Sequence, residues 1–302
     1  MLKFNFATLN FVIFIFLIYS DLFLPVKAQQ WLPIRGGIVF GISGMALLEQ
    51  EKDDLSLLVV HDNKGDKSQR RLAIISLSDQ NTPQYLPVDW PDGTNLPIDL
   101  EALTVVPKQN DFMAATSSGK VYYFSLDLTQ SQINLLKVFN LPNIPTDSNF
   151  ESFALQEIDG QLLAVWGHRG DDEKPAIIYW GFLDLSTFEI KLQGSSTIVV
   201  PWPKGNLRHV SDLKLDSAGV LYITAATDNG DDGPFKSATY TAGVFGVQGS
   251  EVLFKPNSAL FPLYRFNHHK AEALELIPGA AGGIIIGTDD ENRGSSLLDL
   301  RF

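Results

Sequence analysis

The feature that most constrains this chain is a short pattern that returns five times. It consists of a polar or acidic residue, a small or polar one, then two apolar residues separated by one position. It reads Ser43-Gly-Met-Ala-Leu47, Glu101-Ala-Leu-Thr-Val105, Glu151-Ser-Phe-Ala-Leu155, Ser211-Asp-Leu-Lys-Leu215 and Glu272-Ala-Leu-Glu-Leu276, with starts 58, 50, 60 and 61 positions apart. A period of this length marks an array of similar supersecondary units, each burying its apolar face against its neighbours.

Each pattern is followed by a second apolar run: Leu57–Val60, Phe112–Ala115, Leu162–Trp166, Val220–Thr224 and Gly283–Ile286. A third run comes next: Leu72–Ile75, Val121–Phe124, Ala176–Trp180, Tyr240–Phe245 and Leu297–Leu300. Fourth runs are fainter, the best being Leu135–Phe139, Ser196–Val200 and Glu251–Phe254. The runs are short, rich in Val, Ile, Tyr and Phe, and mostly bounded by Gly, Asp, Asn and Pro, which is the signature of strands; no segment sustains a helical period. Four strands per repeat predict an all-β chain folded as a five-bladed β-propeller, with six blades if two repeats have been merged. A pair of β-sandwiches would leave the period unexplained. The fifth repeat has three strands, so Trp31–Ile34 or Gly37–Phe40 is expected to supply its fourth from the N-terminus and close the ring.

Composition narrows the function. The chain has 302 residues and no Cys, which excludes disulfides, zinc–thiolate sites and cysteine nucleophiles. Its net charge of −12 argues against non-specific binding to a nucleic-acid backbone. Residues 1–28 read as a secretory signal peptide: Lys3, the apolar run Phe11–Tyr19, then Val26-Lys27-Ala28 before Gln29. The alternative is an uncleaved anchor, but Ser20 and Asp21 interrupt the apolar run well short of the roughly 20 residues a spanning helix needs. The expectation is a secreted or periplasmic protein whose residues 29–302 form one propeller domain.

In a propeller blade the innermost strand begins, and the second strand ends, at the same face of the ring. The first residues of the repeated pattern should therefore gather around one mouth of the central channel with the residues that follow each second run. Three Glu near one axis raise one another's pKa unless a cation or basic side chains compensate. Ca²⁺, with its preference for oxygen ligands, suits the residue types present. Glu101, Glu151 and Glu272 are the expected ligands, with Asp212, Asp228 and Asp289 as further candidates. The competing reading makes the Glu polar pegs that bond to backbone N–H groups of the neighbouring blade. Arg169, Arg208 and Lys270 are placed to hold a phosphate or carboxylate. His61 and His168 are candidate general bases. The loop Asp228-Asn-Gly-Asp-Asp-Gly233 resembles an EF-hand loop but has Gly230 at a ligand position and no Glu at the twelfth. P-loop, His-Glu-x-x-His and dinucleotide fingerprints are missing from the sequence.

Asp99-Leu-Glu-Ala-Leu103, Asn149-Phe-Glu-Ser-Phe153 and Lys270-Ala-Glu-Ala-Leu274, together with Gly287-Thr-Asp-Asp-Glu-Asn292, resemble motifs of the esterase-like and phytase-like β-propeller group. That resemblance implies an exported propeller with metal and substrate at the channel mouth, hydrolysing phosphate or carboxylate esters, and carries over Glu101, Glu151 and Glu272 as metal ligands. The first blade departs from the pattern with Ser43-Gly44, and the fourth displaces its acid to Asp212. Two functions follow as expectations: a calcium-dependent hydrolase of a small anionic ester, or a non-catalytic propeller that binds a protein partner. No membrane span is expected after cleavage of the signal peptide.

Overall fold

The computed structural model describes residues 30–301 except 53, 79–80, 143–144, 146 and 281. The segment read as a signal peptide lies outside the described residues, apart from which no described helix is long and apolar enough to cross a membrane. The strands form five antiparallel sheets, each stepping outward from the centre. β1 (Trp31–Arg35) precedes the first blade, which is β2 (Gly44–Glu51), β3 (Asp54–Val60), β4 (Leu72–Ser78) and β5 (Asn81–Val88). The second blade is β6 (Leu100–Val105), β7 (Asp111–Thr116), β8 (Lys120–Asp127) and β9 (Gln132–Asn140). The third is β10 (Phe150–Ile158), β11 (Gln161–His168), β12 (Ala176–Asp184) and β13 (Glu189–Ile198). The fourth is β14 (Leu207–Leu215), β15 (Val220–Thr227), β16 (Lys236–Gln248) and β17 (Glu251–Pro256), with β18 (Pro262–Asn267) continuing along the outer side of β16. The fifth is β19 (Ala271–Ile277), β20 (Gly283–Thr288) and β21 (Ser295–Asp299), completed by β1. This is the expected five-bladed propeller, and the third runs of the sequence are its third strands.

The N-terminal closure takes the first of the two options. Trp31 pairs with Leu298 and Leu32 with Leu297, whereas Ile38–Phe40 form a single 3-10 turn. Joining both ends of the chain in one sheet leaves the ring without a seam held only by side chains. Inner strands β2, β6, β10, β14 and β19 each touch the next around the axis, and β19 touches β2.

The core is divided by the gaps between blades rather than by the blades themselves. Among the described residues, one cluster joins blades 1 and 2 through Leu58, Ile74, Leu103 and Phe124. Another joins blades 2 and 3 through Met113, Phe153 and Trp166. Trp180 and Tyr240 sit between blades 3 and 4, Phe266 and Leu274 between 4 and 5, Met45 and Ile285 between 5 and 1. A blade cannot bury both faces alone, which is why the repeats must close on one another. Trp180 also donates from Nε1 to the carbonyl of Val252 in the next blade, at 3.0 Å.

Polar ties cross the same gaps near the axis. Asp212 is completely buried and accepts from the backbone N–H of Leu213 at 2.7 Å and of Leu274, in blade 5, at 2.8 Å. Its neighbour Lys214, 4% exposed, reaches across the channel to donate to the carbonyl oxygens of Met45 at 2.7 Å and of Leu103, and lies 3.5 Å from Glu275. One ammonium from blade 4 thus binds blades 1, 2 and 5. Replacing it with an apolar group of similar length (Lys214→Met) should cost about 3–5 kcal/mol, because Glu275 and the two carbonyls lose their partner inside the protein. Urea unfolding of the two proteins measures that difference.

Candidate functional site

The three glutamates occupy one structural position. In β6 the pairing with β7 shifts between Leu100 and Ala102, in β10 between Phe150 and Ser152, and in β19 between Ala271 and Ala273. Each shift leaves a Glu as the extra, bulged residue, and a bulge re-aims the side chain that carries it. Glu101, Glu151 and Glu272 are thereby buried at the mouth end of their inner strands. Blade 4 has its shift between Arg208 and Asp212 and supplies an arginine instead of an acid at this level. Blade 1 supplies neither: its pattern position holds the buried Ser43, and a side chain at the next residue, Gly44, would meet the backbone of Ala102 and Leu103 at 2.9 Å, so its inner strand lies tight against β6.

Arg208 is the hub of one half of the mouth. Its Nη1 lies 2.6 Å from Glu272 Oε1 and 3.3 Å from Glu151 Oε2, and its Nη2 lies 2.6 Å from Asp228 Oδ2. Burial opposes the charge on this guanidinium, but Glu151, Glu272 and Asp228 together outweigh that and hold it firmly protonated. Glu151 also accepts from Arg169 at 3.2 Å, yet burial still leaves its pKa above the usual 4.5. Asp228 is half-exposed; burial pushes upward and the Arg208 guanidinium more than offsets it, leaving the carboxyl below its usual 3.8. Arg169, Asn206, Arg208 and Asp228 line an open cleft of about 310 Å³ on this side. Lys270 lies 3.1 Å from Glu272 and 3.8 Å from Asp289, and also pairs with Glu291. Burial acts against its charge, and Glu272 and Asp289 keep it protonated.

The other half of the mouth, between blades 1 and 2, is acidic. Glu101, Asp62 and Asp99 bring carboxylate oxygens within 4.8 Å of one another. Glu101 is 8% exposed, and its carboxyl has no hydrogen bond or ion pair among the described residues. Burial, then the charges of Glu151, Asp62, Glu272 and Asp99, raise its pKa well above 4.5. Asp62, two residues past the end of β3, is lifted to about 6 by burial and by Glu272 and Asp99. Asp99 accepts from Ser117 Oγ and lies 2.9 Å from the exposed ammonium of Lys64.

The sequence-derived residues therefore divide. Of the six candidate cation ligands, Glu101 belongs to a close carboxylate group. Glu151, Glu272 and Asp228 are held by Arg208, and Asp289 by Lys270. Asp212 lies three pairs inward from the mouth end of β15, opposite Thr224, with both oxygens on backbone N–H groups. It is Asp212, rather than the three Glu, that acts as a peg between blades. Arg169, Arg208 and Lys270 all stand at the mouth and all have carboxylate partners. His61 does not face the mouth: it is 0% exposed, with Nδ1 2.5 Å from the Gly41 carbonyl and Nε2 3.0 Å from Tyr85 Oη. Burial lowers its pKa to about 4, so it is a neutral packing residue and cannot exchange a proton with a substrate. His168 accepts from the Asn149 N–H at Nδ1, 3.0 Å, and orders the approach to β10. Sequence reasoning put Asp62, which follows the second run of blade 1, at the mouth but named neither it nor Asp99 as a ligand, although Asp99 stands two residues before Glu101.

Removing the hub tests this charge arrangement. Arg208→Leu leaves Glu151 and Glu272 buried without it and should cost about 3–5 kcal/mol at pH 7. The loss should shrink toward pH 4, because Glu151, held above its usual 4.5 by burial, takes up a proton there. Denaturant unfolding at the two pH values reads both effects.

No protein-family model matches the chain, and no curated protein matches it in sequence. Solved structures do match in shape. An α-L-arabinofuranosidase from Podospora anserina, in complex with cellotriose, aligns with a TM-score of 0.52 at 11% identity, covering 89% of this chain and 96% of that one. A GH43 endo-arabinanase from Bacillus licheniformis aligns with a TM-score of 0.47 at 14% identity, covering 89% and 95%. An exo-1,5-α-L-arabinanase from a bovine ruminal metagenomic library gives 0.48 at 10% identity, covering 88% and 94%. At 11% identity the likeness to the α-L-arabinofuranosidase is one of fold, and it agrees with the propeller described above. The esterase-like and phytase-like grouping draws no support from it.

Proposed function

We propose that the Arg208 half of the channel mouth is the active site of a hydrolase that acts by carboxylate acid–base chemistry on an uncharged substrate, a glycoside being the best fit. The observation that carries this reading is one guanidinium bridging two carboxylates in opposite electrostatic states. Glu151 is buried and raised, whereas Asp228 is half-exposed, lowered and faces the cleft. Hydrolysis of a glycosidic bond requires such a pair, one group to protonate the leaving oxygen and one to stay ionised. Both are bonded to the same guanidinium, which keeps them inside the upper limit of roughly 9.5 Å for paired glycosidase carboxylates. In this reading Glu151 is the proton donor and Asp228 the base that directs water, while Arg208 fixes their separation. Glu272 holds Arg208 from the opposite side.

Charge at the mouth supports an uncharged substrate. A phosphate or carboxylate ester, implied by the sequence resemblance, would have to take Arg169, Arg208 or Lys270 away from a carboxylate already bound to it. A sugar needs no such exchange, since its hydroxyl groups hydrogen-bond to ionised side chains without displacing their partners. The α-L-arabinofuranosidase of similar fold acts, by its name, on a substrate of this kind.

Chromogenic aryl glycosides and aryl esters, assayed side by side with the full chain, test the proposal. Asp228→Asn and Glu151→Gln should each lower glycoside hydrolysis about 10²–10⁴-fold while the thermal midpoint of Asp228→Asn stays near that of the wild type. The pH profile of the wild type should fall on the acid side below 3.8, where Asp228 takes up its proton. On the alkaline side it should fall above 4.5, where Glu151 loses its proton. Ester hydrolysis without glycoside hydrolysis would reverse the substrate assignment, and neither activity in a folded protein would leave the non-catalytic binding propeller.

A further inference from the structure

The acidic half of the mouth has a chemical problem that the protein's own side chains leave unsolved. Elsewhere in the channel each buried acid is matched: Glu151 and Glu272 by Arg208, Asp289 by Lys270, Glu275 by Lys214, Asp290 by His269 at 2.7 Å. Glu101 is 8% exposed, against 2% for Glu151 and Glu272, lies in a group of carboxylates, and has no donor among the described residues. The ammonium of Lys64, on an exposed side chain, lies against Asp99 and makes no ion pair with Glu101.

We propose that Asp62, Asp99 and Glu101 form a binding site for a hard divalent cation, Ca²⁺ in preference to Mg²⁺. The three carboxylates come from two segments: Asp62 from the turn after β3, and Asp99 and Glu101 from the entry into β6. Their oxygens, within 4.8 Å of one another, can share a centre with bonds of roughly 2.3–2.6 Å, the Ca²⁺ range. Mg²⁺, with strict octahedral demands and a reluctance to lose its waters, is less suited to a site built from three carboxylates. Three carboxylates and one ammonium sum to two negative charges, which the cation would neutralise. Asp99 is held with φ at +65°, and Ser117 Oγ on its second oxygen orients the carboxyl. Glu151 and Glu272 are excluded from the set because Arg208 occupies them. This site does not depend on the hydrolase reading, since none of its residues takes part in that chemistry.

Calorimetric titration of the chelator-treated full chain with CaCl₂ at pH 7 tests the proposal, and a MgCl₂ titration runs beside it. The expected result is one Ca²⁺ per chain, bound more tightly than Mg²⁺. Asp62→Asn and Glu101→Gln should each weaken Ca²⁺ at least tenfold. Lys64→Ala, a change on an exposed side chain, should tighten it severalfold by removing the ammonium that competes for Asp99. A raised melting temperature with Ca²⁺, absent in Glu101→Gln, would give the same answer independently of heat signals. No Ca²⁺ binding by the folded wild type overturns the proposal. So does wild-type affinity in Glu101→Gln, which would put the ion elsewhere. Glycoside hydrolysis is assayed on the same preparations: activity without cation binding defeats this inference alone, and binding without activity defeats the hydrolase alone.

Discussion

The structure depends on charges that cross the axis. Five blades closed by apolar clusters can slide or tilt relative to one another, because apolar contact is not directional. Lys214 removes that freedom. Its ammonium, sent from the inner strand of blade 4, donates to carbonyls on the inner strands of blades 1 and 2 and lies beside Glu275 of blade 5. Asp212, two residues earlier, accepts from the Leu274 backbone and pins blade 4 to blade 5 along the same gap. Burial raises Asp212 to about 7, against the pull of Lys214 and the two backbone N–H groups. A buried polar group is costly unless satisfied, and here satisfaction is available only when the blades hold one registry. A level above, Arg208 repeats the device with blades 3, 4 and 5.

Much of this was legible in the residues because the repeat is real at the level of strands. The first position of the pattern gives Glu101, Glu151 and Glu272 the same place on three inner strands, and the second runs end beside them. Two strands resisted reading for a common reason. β5 contains Pro83 and Pro87 and β18 begins at Pro262, so neither carries the continuous β-branched run that marks the inner strands. Outer strands have one face toward solvent and need less apolar character, which is also why β9 and β13 were fainter than β7 and β11.

The candidate site was legible only in part, and the reason is charge pairing. A sequence shows that three acids share a level; it does not show which has a partner. Arg208, three residues before the repeated pattern of its blade, was expected at the mouth to hold a substrate anion, but the period gives no hint that its guanidinium is taken by Glu151, Glu272 and Asp228. The irregular pairing between Arg208 and Asp212 puts it there. His61 illustrates the reverse error. It follows a second strand, as a mouth residue should, but its ring turns inward between Gly41 and Tyr85, where both nitrogens are used.

The two halves of the mouth differ because the repeat is broken at two blades and kept at three. A ring with an acid on every inner strand would require several cations, and none of its carboxylates would be distinguishable from the rest. Blade 4 replaces its acid with Arg208, which neutralises the neighbouring positions on blades 3 and 5. Blade 1 carries Ser43 at the pattern position, and brings Asp62 to the mouth from the turn beyond β3 instead. Glu101, on blade 2, is therefore the acid furthest in ring order from the arginine and faces the added Asp62 and Asp99. Identical bulges aim identical side chains inward, and the departures at blades 1 and 4 give those side chains different electrostatic states.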